Sequence, residues 1–155
     1  MKLLVTAGPT REFFDSVRYI SNASTGRMGY AIAQAGARRG HEVVLISGPV
    51  EIAAPRGVRL LQVTSAAEML RACEAEFEHC DAAIMAAAVC DYRPIARSDH
   101  KLKKDNRLLA IELEPTEDIC ARLGAVKNRR VVIGFALEDH NEAANAESKL
   151  RRKNC

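Results

Sequence analysis

The sequence predicts a single α/β domain over residues 1–155, three layers deep, with a doubly wound, mostly parallel sheet and helices on both faces. Three observations carry this. Strand-like and helix-like segments alternate along the chain. The segments VVLIS, AAIMAAA and VVIGFA are continuously apolar, as strands covered on both faces must be. No linker, internal repeat or low-complexity tract divides the chain.

The first strand is Leu3 to Ala7, and the Gly8-Pro9 turn that ends it argues against reading MKLLVTA as a signal peptide. A loop of fifteen residues then leads to an alanine-rich helix from about Ser24 to Arg39. Strands follow at Glu42 to Ser47 and Val58 to Val63. The next helix starts at Ser65: Ser65 and Glu68 have capping-box spacing, and Met69, Cys73 and Phe77 recur on one helical face. Asp81 to Ala87 returns as a strand. A third unit comprises a strand at Leu108 to Leu113, a helix from Thr116, the strand RVVIGFA and a polar helix from about Asn141. Right-handed crossovers turn this order into a Rossmann-like arrangement, which collects ligands outside the carboxyl ends of its strands.

Composition narrows the function class. Hydrophobic residues are 48 % and charged residues 28 %, the balance of a globular chain, and no apolar run is long enough to span a bilayer. The net charge of +3 is too small for a surface that coats nucleic acid or a membrane, yet basic residues gather in RSDHKLKKDNR (97–107) and KLRRKN (149–154). That points to a local anion site. The five cysteines are odd in number and form no CxxC, a reduced, cytoplasmic pattern. The four histidines have no ligand spacing to a cysteine, so no metal ligands are assigned.

Three places carry candidate chemistry. At the helix entrance after the first strand, Ser24, Thr25 and Gly26 offer hydroxyls, close approach and unpaired backbone N–H groups to a phosphate. An ordinary N-cap and a packing glycine account for them equally well. A dinucleotide site is disfavoured, because no GxGxxG follows the first strand and the second ends in Ser47-Gly48-Pro49 rather than an acid. In AAAVCDYRP (86–94), small alanines would let a flat ligand lie on the backbone, and Asp91 offers a carboxylate to a hydroxyl or a metal ion. Helix-packing alanines and a turn-capping aspartate are the plainer alternative. Lys101, Lys103 and Lys104 follow in a polar stretch, read either as a solvated charge run or as part of a flap over residues 90–107 that folds onto a triphosphate.

Taken together, TAGPTRE, VRYISNASTGRMG, SGPV, AAAVCDYRP, HKLKK, VIGFALE and KLRRKN resemble, in order and over essentially the whole chain, the bacterial phosphopantothenoylcysteine synthetases. The resemblance implies a ligase joining 4'-phosphopantothenate to L-cysteine, with CTP cleaved to CMP and pyrophosphate through an acyl-cytidylate. It also implies Mg²⁺, a homodimer, and a decarboxylase that is either fused to the synthetase or separate. Asn22 matches the asparagine that holds the acyl-cytidylate carbonyl, Arg18 the arginine beside it, and Lys101 the flap lysine of nucleotide activation. Gly8, Ala86, Ala87, Ala88, Asp91, Phe135, Lys149, Lys153 and the stretch Glu117, Asp118, Ile119, Cys120 match nucleotide-contacting positions. Without the resemblance, Phe135 reads as a core residue at a strand end, and Lys149 and Lys153 as a solvated helix face. The sequence departs from the family at Cys90, where alanine is common, and at Glu117, where proline is common. The family's closing strand is expected beyond Cys155. Two alternatives stay open on the residues alone: an NADP-dependent reductase, and a nucleotide-binding module without activity.

Overall fold

The structure is a computed structural model, and it describes every residue except Asp105, Arg107, Glu138 and Asp139. The expected flap over 90–107 and the motif VIGFALE therefore include positions outside the described residues.

Five parallel strands form the central sheet: β1 (Lys2–Ala7), β4 (Glu42–Ser47), β5 (Val58–Gln62), β6 (Ala82–Met85) and β9 (Val131–Gly134), in the spatial order β5-β4-β1-β6-β9. The chain builds outward from β1 to β5, then crosses back to place β6 on the other side of β1. That reversal puts the sheet's topological switch point, where such folds collect ligands, at the carboxyl end of β1. Alternate residues of the apolar strands face opposite layers. Leu4, Val44, Ile46, Ala83 and Val132 pack with Met69, Leu70, Cys73 and Phe77 of helix α2 (Ala66–Phe77) and with Ile119 and Leu123 of helix α3 (Ile119–Ala125). Val5, Ala7, Val43 and Leu45 pack with Tyr30 and Ala33 of helix α1 (Arg27–Arg38). Each large side chain so buried contributes about 1.5–3 kcal/mol. The three-layer α/β expectation holds.

Three local expectations are corrected. Helix α1 begins at Arg27, not Ser24, because Gly26 sits at φ 75°, a left-handed conformation that a helical residue cannot adopt. The loop before it contains a hairpin, β2 (Arg11–Phe13) paired antiparallel with β3 (Tyr19–Ser21). And Leu108 to Leu113 does not join the sheet: β7 (Tyr92–Pro94) pairs antiparallel with β8 (Leu113–Pro115) in a separate ribbon. Among the described residues no helix lies between β6 and β8 to supply the crossover that a parallel strand requires.

The β2–β3 hairpin is anchored at long range. Buried Glu12 accepts from the backbone N–H of Ala66 at 2.8 Å, placing a carboxylate at the positive end of α2. The expected capping at Ser65 forms in a shifted version: Ser65 accepts from the Glu68 N–H, while Glu68 reaches back to the N–H of Thr64 rather than that of Ser65. Helix α4 (Glu142–Arg152) buries none of its residues. It is held at its end, where Asn154 Nδ2 donates to the Gly124 carbonyl at 2.9 Å and Lys153 pairs with Asp118. No helix among the described residues is long and apolar enough to cross a membrane.

Candidate active site

The sheet's carboxyl edge is built by glycines that let loops lie on one another. Gly8 and Gly26 both have positive φ, and a Cβ on Gly26 would stand 3.3 Å from the backbone of Gly8 and 2.9 Å from Val50. Among the described residues no side chain caps α1, and no acidic residue stands in its first turn. Ser24 instead accepts from the N–H of Gly26 at 3.3 Å, ahead of the helix. Thr25 is exposed beside it. The close helix-to-sheet contact expected of Gly26 belongs to Gly29, whose Cβ would meet Ala7 at 2.5 Å.

The loops after β1 and β6 form one hydrogen-bonded unit. Ala87 N–H donates to the Thr6 hydroxyl at 3.1 Å, Ala88 N–H to the Gly8 carbonyl at 2.9 Å, and Cys90 N–H to the Thr10 hydroxyl at 2.9 Å. Thr6 and Thr10 are fully buried. Sequence reasoning misses both, although a hydroxyl at the end of an otherwise apolar strand is the available signal. Ala86, at the carboxyl end of β6, opens this loop. Cys90 tucks its thiol between the carbonyls of Thr10 and Ile20, where burial pushes its pKa up. Its carbonyl accepts from the Thr116 hydroxyl at 2.6 Å, and the Asp91 carbonyl accepts from Thr116 N–H at 2.9 Å. Exposed Asp91 and exposed Glu117 are thereby brought to one edge.

Asn22 is exposed and donates from Nδ2 to the Val89 carbonyl at 2.9 Å, which places its carboxamide over the same loop. Arg18 is engaged elsewhere. Its guanidinium lies 3.5 Å from Asp15 and donates to the Leu102 carbonyl at 2.8 Å, next in sequence to exposed Lys101. Asp15, which no sequence motif marks, is fully buried.

A second group gathers at the β6–β9 side. Met85 is paired with Gly134, so Ala86 and Phe135 leave the sheet from adjacent strands. Phe135 is 54 % exposed, not a core residue. Asp118 caps α3 by accepting from Ala121 N–H at 3.0 Å and pairs with Lys153 at 2.9 Å. Desolvation raises its pKa, but the ion pair and the backbone N–H outweigh that and hold it below the usual carboxylate range. Ile119 turns its side chain into the core. The thiols of Cys120 and Cys155 meet beside Gly134, and burial with the neighbouring thiol pushes Cys120 up to about 12. Lys149 of α4 stands one turn before Lys153, the residue that caps the helix end.

Two open grooves, of about 580 and 520 Å³, flank this edge: one between α1 and residues 52–56, the other between β2 and residues 47–51. Neither is lined by Asn22, Lys101 or Phe135. Among the described residues no three His, Cys, Asp or Glu side chains converge as a metal cage. A divalent ion carried mainly by phosphate oxygens needs no such cage, only one or two carboxylates, and Asp91 is an exposed carboxylate on this loop.

Comparison with known proteins bears on the whole chain. The family model for the DNA/pantothenate metabolism flavoprotein C-terminal domain matches residues 1–155. A protein of an unknown prokaryotic organism, named cysteine/cysteine sulfinic acid decarboxylase, is 48 % identical over 99 % of this chain and 43 % of its own length. The coenzyme A biosynthesis bifunctional protein CoaBC of Vibrio parahaemolyticus is 46 % identical over 98 % of this chain and 39 % of its own. The chain thus spans about two fifths of these relatives. The crystal structure of the C-terminal domain of a CoaBC protein superposes with a TM-score of 0.89 at 44 % identity, covering 99 % of this chain and 73 % of that one.

Proposed function

The chain belongs to the family of the DNA/pantothenate metabolism flavoprotein C-terminal domain, and from that premise we propose that it is a ligase of coenzyme A biosynthesis that joins 4'-phosphopantothenate to L-cysteine at the expense of CTP. The observation that carries this reading is the exposed Asn22 carboxamide, bonded to Val89 over the loop where β1 and β6 end. A carboxylate is a poor electrophile toward an amine, so it must first become a mixed anhydride with a nucleotide phosphate. The carboxylate and the triphosphate repel each other, and the positive end of α1, left without a side-chain cap, together with Lys101, offsets that repulsion. Asn22 then donates to the acyl oxygen as cysteine's amine attacks, and being neutral it neither titrates nor repels the developing charge. Phe135, Asp118, Lys149 and Lys153 hold the nucleotide from the β9 side.

Mg²⁺, when bound to the triphosphate, supplies charge neutralisation, with Asp91 as its carboxylate on this chain. The enzyme works as a cytoplasmic homodimer, and a phosphopantothenoylcysteine decarboxylase, fused or separate, takes its product. To test the reading, the chain is given 4'-phosphopantothenate, L-cysteine, Mg²⁺ and either CTP or ATP, and the nucleoside monophosphate formed is identified. CMP with amide product is expected. CTP binding without pyrophosphate release, or NADPH binding indifferent to CTP, overturns it.

A further inference from the structure

Asp15 is the most deeply buried carboxylate near the site, with no exposed surface. Its Oδ1 accepts from Val17 N–H at 2.7 Å and from Arg18 N–H at 2.6 Å, the bonding any aspartate gives a tight turn. A local turn does not explain the other oxygen. Oδ2 accepts from Leu102 N–H at 3.2 Å, across 87 positions of sequence, and lies 3.5 Å from Arg18 Nη1. Arg18 Nη2 closes the ring by donating to the Leu102 carbonyl at 2.8 Å. Both backbone polar groups of one residue are thus held by one ion pair, buried at Asp15 and partly exposed at Arg18. Ser98 N–H, donating to the Phe14 carbonyl at 3.0 Å, fixes the same strap a turn earlier.

We propose that Asp15 is a positioning residue of the ligase reaction: with Arg18 it clamps Leu102 and so sets the backbone that carries Lys101 toward the triphosphate. This rests on the functional reading above. Arg18 on this view acts through Leu102. The clamp is built from the chain's own groups alone, so the entropy of ordering this strap is met on folding rather than on binding. An extended side chain such as lysine gains its directed reach only from a fixed Cα, and a small displacement there is costly to catalysis.

The test is Asp15→Asn, which keeps the side chain's shape but removes its charge and one of its acceptors. Three measurements are made on the full chain: exchange of the Leu102 amide hydrogen, CTP-dependent pyrophosphate release, and the same release in D15N combined with K101A. Leu102 exchange is expected to quicken about tenfold or more, the size of one hydrogen bond to a charged group removed. Pyrophosphate release is expected to slow about 10- to 100-fold in kcat, with KM for L-cysteine unchanged. The double variant is expected to be no slower than K101A alone. Unchanged Leu102 exchange, or losses that multiply in the double variant, overturns the proposal. Absence of activity in the parent chain defeats the functional reading instead, and Leu102 exchange then decides the clamp by itself. If D15N does not fold, Arg18→Gln, which removes the bond to the Leu102 carbonyl and the ion pair with Asp15, must reproduce the faster exchange or the proposal fails.

Discussion

Asn22 donates a carboxamide N–H to the carbonyl oxygen of Val89 at 2.9 Å, and this bond crosses from the end of β3 to the loop that follows β6. It aims the side chain along the sheet's carboxyl edge. It also makes the residue type testable, because a carboxylate at this position could not donate to Val89 and would face an oxygen instead.

Asn22→Asp is expected to release pyrophosphate and accumulate the acyl-cytidylate, while amide formation falls about 10²- to 10³-fold, the loss typical of one oxyanion donor. Quenching the reaction and separating the nucleotide species checks this. Amide made at the parent rate would remove Asn22 from the chemistry.

Gly48 separates packing from backbone conformation. Its Cβ would stand 1.7 Å from the Pro9 carbonyl oxygen, in the loop that ends β4 against the loop that ends β1. Gly40 has φ 80° with nothing within 4 Å. Gly40→Ala is therefore expected to cost about 1 kcal/mol, the penalty of left-handed backbone alone. Gly48→Ala must displace one loop and is expected to cost about 3 kcal/mol or more. Thermal melts of the two variants give the order.

Acid should release the strap at Leu102 before it unfolds the core. Burial raises the Asp15 pKa, but the N–H groups of Arg18, Val17 and Leu102 and the charge of Arg18 outweigh it, so the net shift is downward from 3.8. A carboxyl lowered on folding adds stability above its unfolded pKa, and that stability disappears as pH falls through the lower folded value. Leu102 amide protection is thus expected to persist through the ordinary aspartate range and to be lost only at more acid pH, as the lowered Asp15 carboxyl takes up its proton. Asp118, also lowered, faces Lys153 and Arg152 and titrates in the same range, so the Ala121 amide serves as its separate reporter. If Asp15→Asn leaves the acid loss at Leu102 unchanged, another group is responsible.

The contrast between what is readable in the sequence and what is not follows sequence distance. The sheet strands are legible because VVLIS or VVIGFA is apolar over its own length, whatever it pairs with. The hairpin is not: β2 and β3 have three residues each and are fixed by Glu12 bonding Ala66, 54 positions away, and by Thr10 bonding Cys90, 80 positions away. Asp15 in FFDSVR reads as a turn aspartate, and half of its bonding is just that. Its other half depends on Leu102, which nothing near Asp15 announces. Asn22 is legible only through family resemblance, since a polar loop residue has no pattern of its own. Leu108 to Leu113 fails for the converse reason: the apolar run LLAIEL is real, but among the described residues no helix intervenes to carry it into the sheet.

Helix α4 carries Lys149 and ends on Lys153 as its C-cap, yet it buries none of its residues, so the residues at its end matter to its position. Asn154 bonds the Gly124 carbonyl, Lys153 pairs with Asp118, and Gly124 itself leaves room for the Lys153 carbonyl, which a Cβ would approach to 1.9 Å. Gly124→Ala must therefore push the end of α4 away from α3. A solitary polar helix of eleven residues is marginal in water without such docking, so the variant is expected to expose the amides of residues 142–152 to exchange. The sheet strands should keep their protection, because the Met69, Phe77 and Leu123 cluster does not include α4. Nucleotide affinity should fall about tenfold, as when one charged partner is withdrawn from a bound phosphate. Titration with CTP alongside exchange measurements tests both effects together: α4 released with CTP affinity unchanged would show that Lys149 and Lys153 do not serve the nucleotide.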